Sequence, residues 1–457
     1  MDLLIRGAQV VTMDPRRSIY DRADVFIHDG KIQRISPAAA VRSAAGAPSP
    51  DAVADVRVVE ADGDILFPGL INTHTHLFQV LLKGLGSRWR LEDWWPRTVK
   101  PATLSMGHED TRYAALAGCA EALLSGTTTV VDFMYANRRA EFSDVVMDAM
   151  AEVGGRSIFA RGFRDTGADR GFPPELIEQP VHVFKEVERL KTRAAQLPRT
   201  KVWIAPTALW SMTREGLQET GEYARATGTR ITMHTFETGT DDAVTMTQYG
   251  MHAIDLLEET GLLGPDLLAV HCVKCDDRTL DALRRYDVAV SHNPTCNMYI
   301  ASGAARIRAM LDRGIRVGLG TDGPASNNNM NMVESMKMAA LLQRVTLEDA
   351  AALSGQEALE MATIGAARAL GMEQYVGSIE PGKCADLLLL SRNHPSTSPV
   401  HDPVASLVFS ASFSSVRHVF VDGEPLVWEG NVTRVDVRHV MDRLNVLAQH
   451  LAQRAGI

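Results

Sequence analysis

The sequence contains little cysteine and no long apolar run. Its five cysteines in 457 residues are too few and too scattered for a disulfide framework (Cys119, Cys272, Cys275, Cys296 and Cys384). The most apolar stretches, such as ADLLLLS at 385–391, have the length of a strand and are too short to cross a bilayer. The N-terminus also lacks the basic segment and apolar core of a secretory signal. These absences predict a cytoplasmic protein with no membrane partner.

Basic residues are outnumbered and are not clustered. The chain has 47 Lys and Arg against 56 Asp and Glu, a formal net charge of -9 and no dense basic stripe. We therefore expect no nucleic-acid partner. Hydrophobic residues make up 45% and charged residues 23%, which is ordinary for a globular protein with a large core. The length fits a large barrel with a satellite domain, or two to three domains of usual size.

Eight short apolar runs follow one another from residue 66 onward, and amphipathic stretches such as 214–228 and 278–287 separate most of them. Buried parallel strands alternate with helices in this way. Eight such units close a TIM barrel, so the sequence predicts an α/β fold with a (β/α)8 barrel. The predicted strands are 66–76, 127–133, 156–163, 201–209, 230–237, 267–274, 288–295 and 316–323.

β-rich segments lie on both sides of the predicted barrel. Asp29-Gly30 is a hairpin turn signal in the first of them, and 37–55 is rich in Ala, Ser and Pro and reads as an exposed loop. We expect the two ends of the chain to pair in one small β-sandwich domain. The predicted boundaries are 1–65 plus 372–435 for this domain, 66–371 for the barrel and 436–457 for a C-terminal helix.

Polar side chains stand where the predicted strands end, at the face that carries the active site in TIM barrels. His74 and His76 end the first run, and residues i and i+2 of a strand point to the same side. The later runs end in His234 with Glu237, then His271, His292 and Asp322. Because buried unpaired polar groups are costly, so many of them in one place predict a site for Zn²⁺ or Fe²⁺.

The cysteine pair Cys272-x-x-Cys275 and the residue His292 are each open to two interpretations. The pair has the spacing of a zinc knuckle, but only Cys296 lies near enough in sequence to extend it, and core or loop cysteines are favoured. His292 is equally consistent with packing and with a contact in the barrel lumen. A lone histidine at a strand end is more often structural than catalytic.

The segments at these strand ends resemble the amidohydrolase superfamily. The matching segments are GLINTHTHLFQ (69–79), HTFE (234–237), AVHCV (269–273), SHNPTCN (291–297) and GLGTDGPASNN (318–328). The branch that they resemble contains atrazine chlorohydrolase, S-adenosylhomocysteine deaminase and guanine deaminase. The likeness extends over nearly the whole chain, including GSIEPGKCADLLLL at 377–390.

The resemblance implies one divalent metal ion per subunit, with Zn²⁺ as the first candidate and Fe²⁺ as the alternative. Its ligands would be His74, His76, His234 and Asp322. Glu237 would shuttle a proton, His271 would orient the water or the departing group, and Asp322 would also accept the proton of the water. The candidate substrate contacts are Gln79, Trp95, Thr207 and Asn297. Relatives of this branch also form dimers or larger homo-oligomers.

This activity would be the hydrolytic displacement of an exocyclic group from a nitrogen heterocycle. Ammonia is the expected leaving group, with an alkylamine or chloride as alternatives. Nucleoside deaminases of the branch carry a histidine just after the fourth strand, where this chain has APTAL with Thr207. We therefore rank a bare ring, such as a triazine, purine base or pterin, above a nucleoside. A non-catalytic binding protein is the remaining alternative.

Aromatic and basic residues near the strand ends are further candidates. One of Trp89, Trp94 and Trp95 is expected to stack on a flat ring, although packing is the commoner fate of tryptophan. Arg161 and Arg164, at the end of the third run, could contact a ring oxygen or a carboxylate; surface salt bridges account for them equally well.

Overall fold

The computed structural model describes residues 2–37 and 56–457, and the strands of these residues form two sheets. Nearly all of the predicted 37–55 loop lies outside the described residues. No helix of the described part combines the length and the apolar character needed to span a membrane. Five strands precede the barrel: β1 (Asp2–Val11), β2 (Ile19–His28), β3 (Lys31–Pro37), β4 (Val56–Glu60) and β5 (Ile65–Pro68).

The second sheet is an eight-stranded parallel barrel, as the sequence predicts. Its strands neighbour one another in chain order. All five positions of the sixth strand, LLAVH, are buried, which explains why such runs are apolar without alternation. The strands are β6 (Leu70–Thr75), β7 (Thr127–Met134), β8 (Arg156–Phe163), β9 (Thr200–Pro206), β10 (Ile231–Thr235), β11 (Leu267–His271), β12 (Ala289–His292) and β13 (Val317–Leu319).

Side chains of β6 join the first strand of the barrel to the last. Thr73 Oγ1 donates to the carbonyl oxygen of Leu319 at 2.9 Å, and Asn72 Nδ2 donates to Thr321 Oγ1 at 2.8 Å. The backbone N–H of Asp322 donates to the carbonyl oxygen of His74 at 3.0 Å. These bonds fix the end of β13 against the end of β6, so residues 248 positions apart in the chain become neighbours.

The first predicted run, 66–76, is wrong as a single strand, because it divides between the two sheets. β5 pairs antiparallel with a strand near the C-terminus, and the chain enters the barrel after Gly69. The N–H of Gly69 donates to the carbonyl oxygen of Asp386 at 2.8 Å. A Cβ atom at Gly69 would lie 2.2 Å from Thr128 Cγ2, so only glycine lets the connecting chain pass this close to β7.

Helices connect the strands and surround the barrel. Thr213 and Asp276 cap the two helices that the sequence predicts most clearly, and each side chain accepts a backbone N–H of the first turn. The helices up to the end of the barrel are Leu91–Trp94, Lys100–Ser105, His108–Leu124, Glu141–Val153, Pro180–Ala194, Arg214–Thr227, Thr240–Tyr249, Ala253–Glu259, Asp277–Arg285, Pro294–Tyr299, Ile307–Asp312, Met332–Leu347, Gly355–Ala362 and Ile364–Leu370.

The C-terminal segment returns to the first sheet and completes the small β domain. It supplies the strands β14 (Leu387–Leu390), β15 (Val416–Val421), β16 (Glu424–Trp428) and β17 (Asn431–Val432), with a short helix at Pro403–Ala405. β14 lies beside β5, so the N- and C-terminal parts share one nine-stranded sheet. The final helix, Val437–Ala455, packs against His108–Leu124, and Arg454 forms an ion pair with Asp110 at 2.6 Å. The prediction of a barrel with a small β domain built from both termini is confirmed.

Candidate active site

Five polar side chains meet at the C-terminal ends of the barrel strands. His74 and His76 come from β6, His234 from β10, His271 from β11, and Asp322 follows β13. His74, His76, His271 and Asp322 are buried, with at most 6% of each residue exposed, and His234 is partly buried. The strand ends therefore bring together the residues that the sequence analysis selected.

The ring nitrogens of two histidines lie against one carboxylate oxygen, and the ring nitrogen of a third histidine lies beside them. His74 Nε2 lies 3.0 Å from Asp322 Oδ1, and His76 Nε2 lies 3.2 Å from the same atom. His234 Nε2 is 3.2 Å from His76 Nε2. Ligand atoms of His74, His234, His271 and Asp322 also lie within 4.8 Å of one another. This spacing allows several of these atoms to bind a single cation.

Hydrogen bonds on the far side of the rings define which nitrogen faces the centre. His76 Nδ1 lies 2.6 Å from the carbonyl oxygen of Phe133, and His234 Nδ1 lies 2.6 Å from that of Thr207. A carbonyl can only accept, so both Nδ1 atoms carry hydrogen, and a ring of this kind in its neutral form presents a lone pair at Nε2. Two lone pairs 3.2 Å apart repel each other unless a cation lies between them. The residues therefore fit a divalent metal ion.

The ionisable side chains of this cluster have lowered pKa values. Burial lowers the pKa of His74 to about 3 and that of His234 well below its usual value. Burial alone would raise the pKa of Asp322, but its close contacts with the rings of His74 and His76 hold it well below the usual carboxyl value. Neutral imidazoles and an ionised carboxylate are the protonation states that metal ligation requires.

His271 is held beside the cluster by Asn297. His271 Nδ1 bonds Asn297 Oδ1 at 2.9 Å, and its Nε2 lies 3.6 Å from Glu237 Oε2. Asn297 is fully buried and does not line the cavity described below. The structure thus places this predicted substrate contact behind His271, where it orients the ring.

Left-handed backbone conformations occur at three of these strand ends. The φ angle is 52° at Phe236, 75° at His271 and 58° at Asp322. Residues with a Cβ rarely adopt such angles, and they do so mainly where the surrounding structure enforces them at functional sites. These turns aim the side chains of His271 and Asp322 at the centre.

The cysteine pair and His292 take no part in the ligand cluster of the described residues. Cys272 and Cys275 are buried free cysteines, and no group of potential metal ligands in this part of the chain contains either of them. His292 is fully buried, does not line the cavity, and both of its ring nitrogens lack a hydrogen-bond partner in the described structure. Burial lowers the pKa of His292 to about 3.

A cavity of about 260 Å³ opens above the cluster. The predicted contacts Gln79, Trp95 and Thr207 line it, together with Trp94, whereas Trp89 does not. Gln79 Nε2 donates to the hydroxyl of Tyr135 at 2.8 Å, which leaves the buried Oε1 atom as a free acceptor in the described structure. The volume suits a small heterocyclic ligand.

Three aromatic residues of the cavity wall were missed in the sequence analysis: Tyr135, Phe172 and Trp210. Tyr135 directly follows β7, so its position after a barrel strand was a usable signal. Phe172 stacks on Trp210 with ring centroids 5.4 Å apart and meets Trp95 edge-on at 4.6 Å. Loops that are separate in sequence form this contact, and no local pattern indicates it.

The two arginines at the end of β8, Arg161 in the strand and Arg164 directly after it, have different environments. Arg161 forms a bidentate ion pair with Glu178 at 2.9 and 2.7 Å and does not line the cavity. Arg164 does line the cavity, is only 2% exposed, and forms no salt bridge in the described structure. A salt bridge therefore explains Arg161 but not Arg164.

Glu237 lies at the cavity wall beside His271. Burial raises the pKa of its carboxyl to about 8, and the negative charge of Asp322 adds to this effect. In this environment the carboxyl holds a proton at neutral pH. A buried carboxylic acid next to a reaction site can donate that proton.

Asp241 gives a pH-dependent prediction for stability. It accepts the N–H of Phe236, and burial raises its pKa from 3.8 to about 8. The folded state binds this proton more tightly than the unfolded state does. Asp241 therefore adds to the free energy of unfolding below about pH 4, and this contribution is lost as pH rises toward about 8. The Tm of Asp241→Asn minus that of the wild type should therefore increase between about pH 4 and 8 and then level off. Calorimetry at one-unit pH steps measures this difference, and a constant difference would contradict the effect.

The chain matches known proteins over nearly its whole length. The family model "Amidohydrolase family" matches residues 65–426. A 5'-deoxyadenosine deaminase of Methanopyrus kandleri is 34% identical over 451 residues, which cover 99% of each chain. A 5-methylthioadenosine/S-adenosylhomocysteine deaminase of Syntrophobacter fumaroxidans is 32% identical over 448 residues, which cover 98% of each chain.

Solved structures show the same architecture. An adenosine deaminase from Xanthomonas campestris with bound zinc superposes with a TM-score of 0.90 at 27% identity and 99% coverage of both chains. A mutant atrazine chlorohydrolase from Arthrobacter aurescens, in complex with zinc and atraton, gives a TM-score of 0.88 at 26% identity, with coverage of 98% of this chain and 100% of the other. The chain therefore belongs to the amidohydrolase family, as a divalent-metal hydrolase of the deaminase type that acts on a small molecule.

Proposed function

We propose that the protein removes an exocyclic amino group, as ammonia, from a purine-like ring, and that adenosine-type nucleosides are the first substrate class to test. One observation carries this proposal. Three imidazole Nε2 atoms and the carboxylate of Asp322 converge at the wall of a ring-sized cavity, with the carboxyl of Glu237 beside them.

The proposed metal ligands are His74, His76, His234 and Asp322. Three imidazole nitrogens and one carboxylate oxygen form a typical donor set for Zn²⁺, which we propose as the native ion, with Fe²⁺ as the alternative. The ion supplies Lewis acidity, which makes a water molecule acidic enough to lose a proton near about pH 7. The donation from Ser326 Oγ to Asp322 Oδ2, at 2.7 Å, holds the carboxylate in place.

Two carboxyl groups move the protons in this proposal. Asp322 takes one proton from the attacking water as the new C–O bond forms, while Glu237 gives its proton to the adjacent ring nitrogen. Asp322 then passes its proton to the amino group, and the C–N bond breaks with release of ammonia. The remaining hydroxyl proton returns to Glu237, which leaves a carbonyl on the ring and the enzyme in its starting state. His271 orients the water and the departing group, and Asn297 positions His271.

The cavity wall holds the ring in this proposal. Trp95 offers a flat face for stacking. The free Oε1 atom of Gln79 can accept a ring N–H, and Gly323 makes room for this amide, since a Cβ there would lie 1.9 Å from Oε1. Thr207 contributes a hydroxyl, which donates to the carbonyl oxygen of Phe163 at 2.7 Å and can accept from a substrate.

The comparisons support the nucleoside alternative, which the sequence analysis ranked second. The relatives above are named as deaminases of 5'-deoxyadenosine, 5-methylthioadenosine and S-adenosylhomocysteine. A bare heterocycle is the second candidate, because Thr207 occupies the position at which the nucleoside deaminases of this branch carry histidine. The predicted homo-oligomer stays a prediction.

A screen for ammonia release tests the proposal. Zinc-loaded protein would be offered adenosine, 5'-deoxyadenosine, 5'-methylthioadenosine, S-adenosylhomocysteine, adenine, guanine, isoxanthopterin and melamine. We expect release of ammonia from at least one adenine-containing compound. If metal-loaded protein releases none from any of these compounds, the proposed reaction is wrong. Release from bare rings alone would establish the second candidate.

A further inference from the structure

A second group of potential metal ligands lies beside the active site. Ligand atoms of Glu237, His271 and Cys296 lie within 4.8 Å of one another. Glu237 follows β10, His271 ends β11, and Cys296 lies in the helix Pro294–Tyr299, which follows β12. Three consecutive strand ends therefore bring an oxygen, a nitrogen and a sulfur donor close together.

His271 presents a lone pair to this group. Asn297 Oδ1 can only accept, so His271 Nδ1, at 2.9 Å, carries the hydrogen and Nε2 carries none in the neutral ring. Burial lowers the pKa of His271, so the ring is neutral at neutral pH. Its Nε2 atom lies 3.6 Å from Glu237 Oε2. A lone pair and a carboxyl oxygen at this distance can bind the same cation.

Cys296 is a fully buried free cysteine with negative charges near its thiol. Burial raises the pKa of the Cys296 thiol, and the charges of Asp322 and Glu237 add to this effect. Without a cation the thiol therefore keeps its proton. A bound metal ion reverses this preference, because a thiol that coordinates a metal ion is deprotonated. The negative charges that disfavour a lone thiolate favour a cation beside it.

We propose that Glu237, His271 and Cys296 form a second, weaker site for a thiophilic divalent cation such as Zn²⁺ or Co²⁺, and that its occupation stops catalysis. Mixed sulfur, nitrogen and oxygen donors suit these ions. The inhibition rests on the deaminase function proposed above, because the second ion would withdraw Glu237 from proton transfer and His271 from orienting the departing group. Binding of the ion does not depend on that function.

The two sites should fill in order. At the first site His74 and His234 are neutral and Asp322 is ionised before any metal binds. At the second site Glu237 and Cys296 must each release a proton to solvent, because burial raises both of their pKa values. Two neighbouring cations also repel each other. One ion per subunit is therefore the active form, and the second ion binds only when metal is in excess.

A cobalt titration tests the second site directly. Protein that carries one Zn²⁺ per subunit would be titrated with Co²⁺ and followed by absorption. Zn²⁺ has a filled d shell, so any new band reports the added Co²⁺. We expect a near-ultraviolet band from thiolate-to-cobalt charge transfer that saturates at one further ion per subunit. Cys296→Ser and Cys296→Ala should both lack this band, and either variant suffices if the other does not fold.

Excess zinc tests the inhibition. Zn²⁺ beyond one ion per subunit should lower ammonia release by the wild type at least about tenfold at saturation, because positioned acid–base groups contribute about 10²- to 10⁴-fold. The substrate would be a compound identified in the screen above. In Cys296→Ser the half-inhibiting concentration of Zn²⁺ should rise at least about tenfold, since loss of even an outer partner of a metal ligand costs about 10- to 100-fold in affinity.

Cys119→Ser is the matched control. Cys119 is also a buried free cysteine, but it lies in the helix His108–Leu124 and belongs to no group of potential ligands among the described residues. Its cobalt band and its inhibition by zinc should equal those of the wild type.

Three results would overturn the inference. They are a wild type with no charge-transfer band up to about 1 mM Co²⁺, a band that persists in the Cys296 variants, and a second bound ion that leaves ammonia release unchanged. Failure of the protein to release ammonia from any screened compound would refute the deaminase proposal alone, because the cobalt titration needs no substrate.

Discussion

Glu237→Gln is expected to keep its metal and to lose about a thousandfold or more of its kcat, because positioned acid–base groups contribute about 10²- to 10⁴-fold. The amide keeps the size of the side chain but cannot deliver and recover a proton. In the wild type the carboxyl of Glu237 lies 3.6 Å from His271 Nε2, and burial raises its pKa to about 8. The carboxyl is therefore both positioned and protonated for proton donation. Metal analysis and steady-state kinetics on one protein sample measure the two properties.

Glu92→Gln is the control for this prediction. Glu92 also lines the cavity, but it is exposed, and its negative charge makes only a minor contribution to the raised pKa of Glu237. Its kcat should stay within about threefold of the wild type, as expected for surface substitutions. Turnover by Glu237→Gln at a wild-type rate would remove Glu237 from the mechanism, whatever its metal content.

His76→Asn is expected to lose most of its metal and about a thousandfold or more of its kcat, since Lewis-acid activation is worth several kcal/mol. The ring is oriented by the carbonyl of Phe133, and its Nε2 lies 3.2 Å from both Asp322 Oδ1 and His234 Nε2. Chelation of the wild type should reproduce the loss, and added Zn²⁺ should restore activity to the chelated wild type but not to the variant. Elemental analysis and kinetics measure both effects.

His271→Asn separates two possible ligand sets. The four residues whose ligand atoms lie within 4.8 Å of one another include His271 instead of His76. If His271 only orients the reaction, its substitution should lower kcat and leave the metal content near one ion per subunit. Loss of metal from His271→Asn, with metal retained by His76→Asn, would reverse our assignment of these two histidines. His418→Asn is the control for removing a buried histidine, because His418 lies in β15 of the nine-stranded sheet and not in the barrel.

The alternation of strands and helices could be predicted from the sequence because each barrel strand is buried on both faces. The apolar runs are therefore continuous and easy to recognise, as in β11. The run at 66–76 misled the prediction for the same reason. β5 and β6 are both fully buried, and the apolar residues of β5 are soon followed by Leu70 and Ile71 of β6, so no change of pattern shows that the chain leaves one sheet and enters the other at Gly69.

The polar residues at the strand ends were also visible in the sequence, but their neighbours in space were not. Arg161 and Arg164 look alike in the sequence, three residues apart at the end of one strand. Glu178 neutralises Arg161, whereas Phe172 and Trp95 lie against Arg164, whose Nε and Nη1 atoms have no hydrogen-bond partner in the described structure. This difference depends on loops that meet only after the barrel has closed.

The sequence by itself determined the barrel, the β domain of the two termini and the residues that we assign to the metal, because strand periodicity and residue chemistry are local properties. Tertiary structure alone decided how those residues face one another. Left-handed turns at His271 and Asp322, and carbonyl acceptors behind His76 and His234, arise from contacts between distant segments. These contacts form only when the barrel closes. Substrate selectivity therefore depends on the residues that barrel closure brings into the cavity wall, and no single sequence motif determines it.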